Sequence, residues 1–299
     1  MNILISGSTG LIGTALTTAL EGLGHTVIPL KRGTKQTGVA WWDPAGGEID
    51  LSGAGAIDVV VHLAGANVAG SRWTAAYKQE LMDSRRLSTQ LLSEALVGMG
   101  EKPAVLISAS GVGYYGDLGD EVATERTALG NGFLCNICKE WEAATQPAAD
   151  EGIRVVNARI GIVLSTKGGA LTKMLTPFKL GAGGKVGSGK QYMSWVSLQD
   201  LIKMLLFLMT EKHLSGPVNL VAPNPVTNLA FTKALGRALK RPTIAPLPAF
   251  AARLMFGGEM ADELLLSGIR AAPNVLQSAG YEFLHSDIDD GLAAALGET

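Results

Sequence analysis

The chain has 299 residues, 25 of them basic and 27 acidic, for a net charge of −2. That length suits one large α/β domain with a smaller appendage, and the balanced, dispersed charge argues against a nucleic-acid partner. The first apolar run begins at residue 2 with no basic leader, and the most apolar helical stretch, 201–209, is too short for a bilayer and carries Lys203. A cytoplasmic protein with no membrane partner is the expectation.

An apolar strand, Ile3 to Ile5, runs directly into Gly7-x-x-Gly10-x-x-Gly13 and then into a helical pattern over 11–20. Gly7 permits a tight turn, Gly10 lets backbone approach a phosphate, and Gly13 lets the helix pack close to the strand. The free N–H groups of the helix then face a pyrophosphate, where the helix dipole favours negative charge. Gly7, Ser8, Thr9 and Gly10, with Leu11, Ile12 and Gly13 opening the helix, are therefore the candidate dinucleotide cradle. A second strand over 25–30 ends in Lys31-Arg32, where a site for NAD would place an acid on the ribose. A guanidinium can pair with a 2′-phosphate in two hydrogen bonds, so the expected cofactor is NADP(H).

A short third strand is expected over 39–42. The continuous apolar run 58–62 suits a central parallel strand covered on both faces. Its exit, Leu63, Ala64, Gly65 and Ala66, is small enough for a cofactor to lie against the backbone, and Asn67, Arg72 and Trp73 follow where substrate or nicotinamide would sit. His62 is expected in the core. A long helix over 74–99 could form the face of a homodimer or cover the sheet. The strand at 104–109 ends in Ser108, Ala109 and Ser110, then Tyr114-Tyr115-Gly116, a hydroxyl cluster at a strand end where α/β enzymes place their chemistry.

The next helix, 133–149, carries Cys135, Cys138, Lys139, Trp141 and Glu142. Zinc would need two more ligands, and the four histidines are scattered without a ligand pair, so no metal is expected. Two packed thiols are favoured over a redox pair. A sixth strand, 153–158, leads to Arg159, which could meet cofactor or loop backbone. Beyond 165 come a helix at 170–180, a glycine-rich loop at 181–190, a strand at 191–196 and a helix at 198–209. A strand at 218–221 and helices at 227–238, 249–256 and 288–296 complete the pattern. The loop lacks the Lys-Ser/Thr ending of a P-loop, so no ATP site is expected. The alternation predicts an α/β fold, a Rossmann doubly wound parallel sheet with a smaller α+β C-terminal substrate region. The expected divisions are 1–165, 166–247 and 248–299.

Gly7-x-x-Gly10-x-x-Gly13, the run from Asp58 to Ala66 and Tyr115-Gly116 make the chain resemble the extended short-chain dehydrogenase/reductase superfamily over nearly its whole length. Trp42-Asp43-Pro44, Ser84-Arg85, Lys139-Glu-Trp-Glu142, Gly168-Gly-Ala-Leu171 and Gly189-Lys-Gln-Tyr-Met-Ser-Trp195 resemble its atypical, nucleoside-diphosphate-sugar epimerase-like branch. The segment from about Pro248 looks like that branch's small C-terminal domain.

The resemblance implies a Tyr and a Lys four residues apart on one helix, with a Ser from the preceding strand end. Here Lys139 has Cys135 four residues before it, so the usual Tyr is missing. Ser110 stands near the Ser position, Tyr114 or Tyr115 could substitute from the loop, and Arg85 replaces the usual helix Asn. The catalytic candidates are Ser110, Tyr114 and Lys139. The resemblance places Gln191, Ser194 and Trp195, with Asn67 and Arg72, on a small-molecule substrate. Two functions follow as expectations: an NADP(H)-dependent oxidoreductase or epimerase-like enzyme, or a regulatory or scaffold protein that binds NADP(H) without turnover. Thiol redox sensing through Cys135 and Cys138 is a third, weaker idea.

Overall fold

The computed structural model describes residues 1–297. β1 (Asn2–Ser6) leads into α1 (Leu11–Gly22), whose buried Gly13, Leu16 and Leu20 recur at helical spacing. β2 (Thr26–Leu30) then pairs parallel with β1. The expected third strand forms at 41–43, and one parallel bridge, Lys31 to Trp41, links it to the end of β2. From there β3 (Trp41–Asp43) folds back on β4 (Glu48–Asp50) as an antiparallel hairpin. The turn between them, Pro44 to Gly47, ends on a glycine at φ +71°, a conformation that L side chains rarely adopt.

β5 (Val59–His62) returns to the other side of β1, α2 (Ala75–Val97) follows from an N-cap at Thr74, and β6 (Val105–Gly111) pairs parallel with β5. The expected helix over 133–149 is two helices, α3 (Phe133–Ala143) and α4 (Gln146–Asp150). Pro147 has no N–H to continue the first and sits where a new helix tolerates it. β7 (Val122–Ala123), β8 (Arg154–Ile160), β9 (Ile162–Leu164), α5 (Gly169–Lys179), β10 (Tyr192–Met193) and β11 (Trp195–Ser197) precede α6 (Leu198–Thr210) and β12 (Gly216–Leu220). The expected strand over 191–196 is thus split, β10 pairing with residues 226–227 and β11 with β9. After α7 (Asn228–Leu239) and α8 (Ala249–Phe256) comes a segment with no strong sequence signal. It holds a short helix, Gly258–Ala261, and a π-helical turn, Asp262–Leu266.

The main parallel sheet has the order β12-β8-β6-β5-β1-β2. The chain leaves β1 toward β2 and comes back to β5, so a topological switch point lies between the ends of β1 and β5. Val59, Val60 and Val61 are buried on both faces, as the unbroken apolar run required.

Two compact units interleave along the chain. The first comprises Met1–Ser110, Ile137–Ala158 and Leu205–Pro217, and the second Gly111–Asn136, Arg159–Met204 and Val218–Thr299. In the first, Leu4, Val60 and Leu106 of the sheet pack with Leu92 and Leu96 of α2 and with Trp42. In the second, Trp195 is enclosed by Leu171, Leu175, Phe231, Leu235 and Leu292. Gly291 is required there, because a Cβ would lie 2.3 Å from the Trp195 ring. No helix among the described residues is long and apolar enough to cross a membrane.

Candidate functional site

The glycine turn lies at the switch point. Gly7 has φ +70°, and a Cβ on it would stand 2.9 Å from the Leu63 carbonyl carbon, so the exits of β1 and β5 touch through bare backbone. A Cβ on Gly13 would fall 2.2 Å from the Gly7 carbonyl oxygen, which fixes how closely α1 approaches the strand. At Gly10 the Cβ position meets only Gly7 O, at 3.3 Å, and Thr9 and Gly10 are exposed. No side chain caps α1 and no acid occupies its first turn, so its N-terminal N–H groups remain for an anion. These residues fit a dinucleotide pyrophosphate.

The walls of the turn are held by a buried network. Ser6 Oγ accepts from the Leu63 and Ala64 N–H groups at 3.1 and 3.3 Å, so its own proton goes to His62 Nδ1 at 2.6 Å. The remaining ring N–H, at Nε2, then donates to Thr89 Oγ1 at 2.9 Å. Burial pushes the His62 pKa down to about 3, with the Arg85 charge adding to it, and keeps the ring neutral. His62 is a core residue, as expected. Arg85 holds the next stretch of the β5 exit: its guanidinium donates to Ala66 O and Leu81 O, both at 2.9 Å, and stacks on Trp141. Ala66 N donates to Ser84 Oγ.

Lys31 and Arg32 are exposed and lie with Thr34, Gln36, Val39 and Trp41 around a cavity of about 240 Å³. Trp41 forms its wall by donating Nε1–H to Gly33 O. Neither Lys31 nor Arg32 has a side-chain partner among the described residues, so both cations are available to a dianion. Thr34 and Gln36 lie on the loop between β2 and β3, and Trp41 opens β3; none was singled out by a sequence motif.

At the end of β6, Ser110 donates Oγ–H to Glu142 Oε1 at 2.7 Å. Glu142 was visible in the sequence only as part of a family motif; its pairing with Ser110 was not. Lys139 is on the exposed side of α3 and has no partner among the described residues, whereas Cys135, Cys138 and Trp141 are buried. Cys135 donates its thiol proton to Gly113 O, and burial, with the Glu263 carboxylate second, pushes its pKa up to about 11. Neither cysteine is in a disulfide. Both pack, as the sequence suggested.

Tyr114 and Tyr115 differ in exposure. Tyr115 is wholly buried, donating to Asn219 Oδ1 at 2.6 Å and accepting from Arg159 Nη1 at 3.0 Å. Tyr114 is half-buried, its ring 3.5 Å beneath the Arg159 guanidinium, and its hydroxyl has no hydrogen-bond partner among the described residues.

Several side chains expected at a ligand make contacts within the protein. Arg159 is buried against these two phenols. Ser108 is wholly buried, so its side chain cannot reach a ligand. Ser194 donates to Ile269 O and accepts from Ala271 N. Trp195 has 0% exposure and donates Nε1–H to Asn224 O. Gln191 donates to Val186 O and Leu265 O. A strand read as lining a cleft is here a packing strand of the second core. Asn67 and Arg72 remain exposed, with Asn67 Oδ1 accepting from Ala69 N.

The model of the NAD dependent epimerase/dehydratase family matches residues 3–220, and that of a domain of unknown function (DUF1731) matches residues 247–295. An epimerase family protein of Mycobacterium tuberculosis is 48% identical over 294 residues, 98% of this chain and 97% of that protein. The crystal structure of human epimerase family protein SDR39U1 (isoform 2) with NADPH is 32% identical, covers 100% of both chains and superposes with a TM-score of 0.91. A nucleoside-diphosphate sugar epimerase from Corynebacterium glutamicum is 35% identical at a TM-score of 0.79, covering 99% of this chain and 58% of that one. With a glycine turn at the switch point of a doubly wound sheet and these matches across its length, the chain belongs to the NAD dependent epimerase/dehydratase family.

Proposed function

We propose that the protein is an NADP(H)-dependent oxidoreductase or epimerase of the extended short-chain dehydrogenase type, acting on a small polar substrate such as a nucleotide-linked sugar. The observation that carries the cofactor is the uncapped N-terminus of α1, behind a bare glycine turn, together with the Lys31–Arg32 cavity at the end of β2. The NADPH in the human relative's structure supports the same choice. The sugar nucleotide rests on likeness to the Corynebacterium protein.

Gly7, Ser8, Thr9 and Gly10, with Leu11, Ile12 and Gly13, hold the pyrophosphate, and Lys31 and Arg32 hold the 2′-phosphate. The β5 exit, Leu63 to Ala66, and the backbone at Ala109 flank the rest. When bound, the nicotinamide supplies hydride exchange with a substrate carbon. Ser110 meets the substrate oxygen and relays its proton: in oxidation it takes the substrate hydroxyl proton as its own passes to the hydrogen-bonded Glu142 carboxylate, and in reduction the same protons move the other way. Tyr114, its ring held under the Arg159 guanidinium, is the other candidate hydroxyl. Asn67 and Arg72 position the substrate. Lys139, exposed on α3, contributes positive charge near the helix rather than lowering the pKa of a neighbouring phenol.

A second reading has its own observation. Cys135 stands where the active family members keep Tyr, and its thiol is held protonated by burial. A protein that binds NADP(H) without turnover is consistent with that substitution. NADPH consumption, followed against a panel of oxidised nucleoside-diphosphate sugars, separates the two. Turnover abolished by Ser110→Ala supports the enzyme. Tight NADPH binding with no turnover on any member of the panel supports the binding module.

A further inference from the structure

A second basic concavity lies in the second unit and shares no residue with the dinucleotide turn. It is a cavity of about 460 Å³ at the C-terminal end of α7, lined by Lys233, Arg237, Lys240 and Arg241 over a floor that includes Gly236 and Thr243. The floor is built closely: a Cβ on Gly236 would stand 2.4 Å from Thr243 Cγ2 and 3.0 Å from Arg241 O, so the returning chain rests on the helix itself.

A cluster of cations at a helix C-terminus usually serves the exposed carbonyls there. Here the main chain already serves them. Lys240 N–H donates to Arg237 O at 3.0 Å, and Arg241 N–H donates to Gly236 O at 2.9 Å. Of the four cations, Arg237 is paired with Asp289, and Arg241 uses Nε on Lys179 O at 3.0 Å. Lys233 and Lys240 have no partner among the described residues.

Lys240 is also the one non-glycine residue among those described with positive φ, at 53°. Gly is the usual occupant of such a cap, and a side chain there costs on the order of 1 kcal/mol. The backbone would be better served by glycine, so what lysine adds at this position is its ammonium. An unfavourable backbone conformation retained beside a cavity is a pointer to a ligand.

We propose that this concavity is an anion site for a small phosphorylated molecule carrying a diphosphate or two phosphate groups. Two ammonium groups and the terminal nitrogens of Arg241 supply charge for more than one phosphate, and a guanidinium edge matches the spacing of phosphate oxygens. The depression is open to solvent and has room for more than one phosphate group. A polymer is disfavoured because the chain's net charge of −2 provides no extended positive field.

The test is calorimetric titration of sodium pyrophosphate into NADPH-saturated protein at low ionic strength. Wild type is expected to bind, and a Lys233→Ala, Lys240→Gly double variant to bind at least about tenfold more weakly. Lys240→Gly alone should keep or raise the melting temperature, because glycine is at ease at this φ; weaker binding in that variant is then loss of the ammonium and not misfolding. Weakening in the double variant locates the ligand on α7 whatever occupies the glycine turn, so the result is independent of the proposed activity. Absence of binding to wild type, or equal binding to wild type and the double variant, overturns the site.

Discussion

Ser110 and Glu142 face each other at 2.7 Å, a hydroxyl at the end of β6 donating to a carboxylate on α3. They lie 32 residues apart in sequence, and on the proposed mechanism the carboxylate is the proton acceptor behind the Ser110 hydroxyl. Glu142→Gln tests the chemistry because the amide keeps a hydrogen-bonding oxygen but cannot take the proton. On a substrate returned by the NADPH-consumption screen, Glu142→Gln should lower kcat by about 10²-fold or more, with the NADPH dissociation constant unchanged. Combined with Ser110→Ala it should cost little beyond the single changes, since the two act as a unit. Full kcat in Glu142→Gln would reduce Glu142 to a residue that only positions Ser110.

The cofactor preference should reside in two side chains. On the proposed cofactor site, Lys31→Ala and Arg32→Ala each remove a charge-assisted contact to the 2′-phosphate, worth roughly 1.5–3 kcal/mol for the stronger, so NADPH affinity should fall about tenfold or more. NADH affinity should stay within about twofold. Fluorescence titration with both reduced nucleotides reads the difference directly. A proportional loss for NADH would mean that the cavity of Thr34, Gln36 and Trp41 senses the adenosine instead.

What could be read in advance was set by local chemistry. Gly7, Gly10 and Gly13 declare their turn because its demands are largely local, a positive φ at Gly7 and the Gly7 carbonyl beside Gly10 and Gly13, and the run 59–61 declares a central strand because both faces need apolar cover. The short strand at Trp41 was legible, but its antiparallel partner was not, because strand alternation is the same for a strand that joins a parallel sheet and for one that folds back. Ser194 and Trp195, which the resemblance sets toward substrate, are buried within the second unit, a placement that depends on the packing around them and that no sequence pattern records. The Ser110–Glu142 pair and the Glu263 contacts described below depend on long-range placement. No periodicity records that.

His62 should make the fold acid-sensitive. Its native pKa is held at about 3 while the unfolded chain titrates near 6.5, so below 6.5 the unfolded state takes a proton that the native state refuses. The stabilisation is complete above pH 6.5 and is lost as pH falls toward 3. The loss should be about 2 kcal/mol at pH 5 from this group alone. Thermal melts between pH 7 and 5 should show a clearly shallower pH dependence for His62→Gln than for wild type, even though the variant is less stable at pH 7. Parallel slopes would place the acid sensitivity elsewhere.

The π-helical turn Asp262–Leu266 has an assignable purpose in Glu263. Its two carboxylate oxygens accept from Phe133 N and Leu134 N, both at 2.8 Å, and so cap the start of α3 from 130 residues away. A negative charge at a helix N-terminus is favourable, and removing one that also satisfies two N–H groups should cost about 1–3 kcal/mol. Glu263→Ala should therefore lower the melting temperature by several degrees. The same carboxylate is the second cause, after burial, of the raised Cys135 pKa. Loss of its charge should bring that pKa down from about 11 without reaching the value of a free thiol, because burial remains. Alkylation of Cys135 by iodoacetamide should accelerate only modestly in Glu263→Ala under native conditions. A thiol as reactive as free cysteine would show that Glu263, and not burial, keeps it protonated.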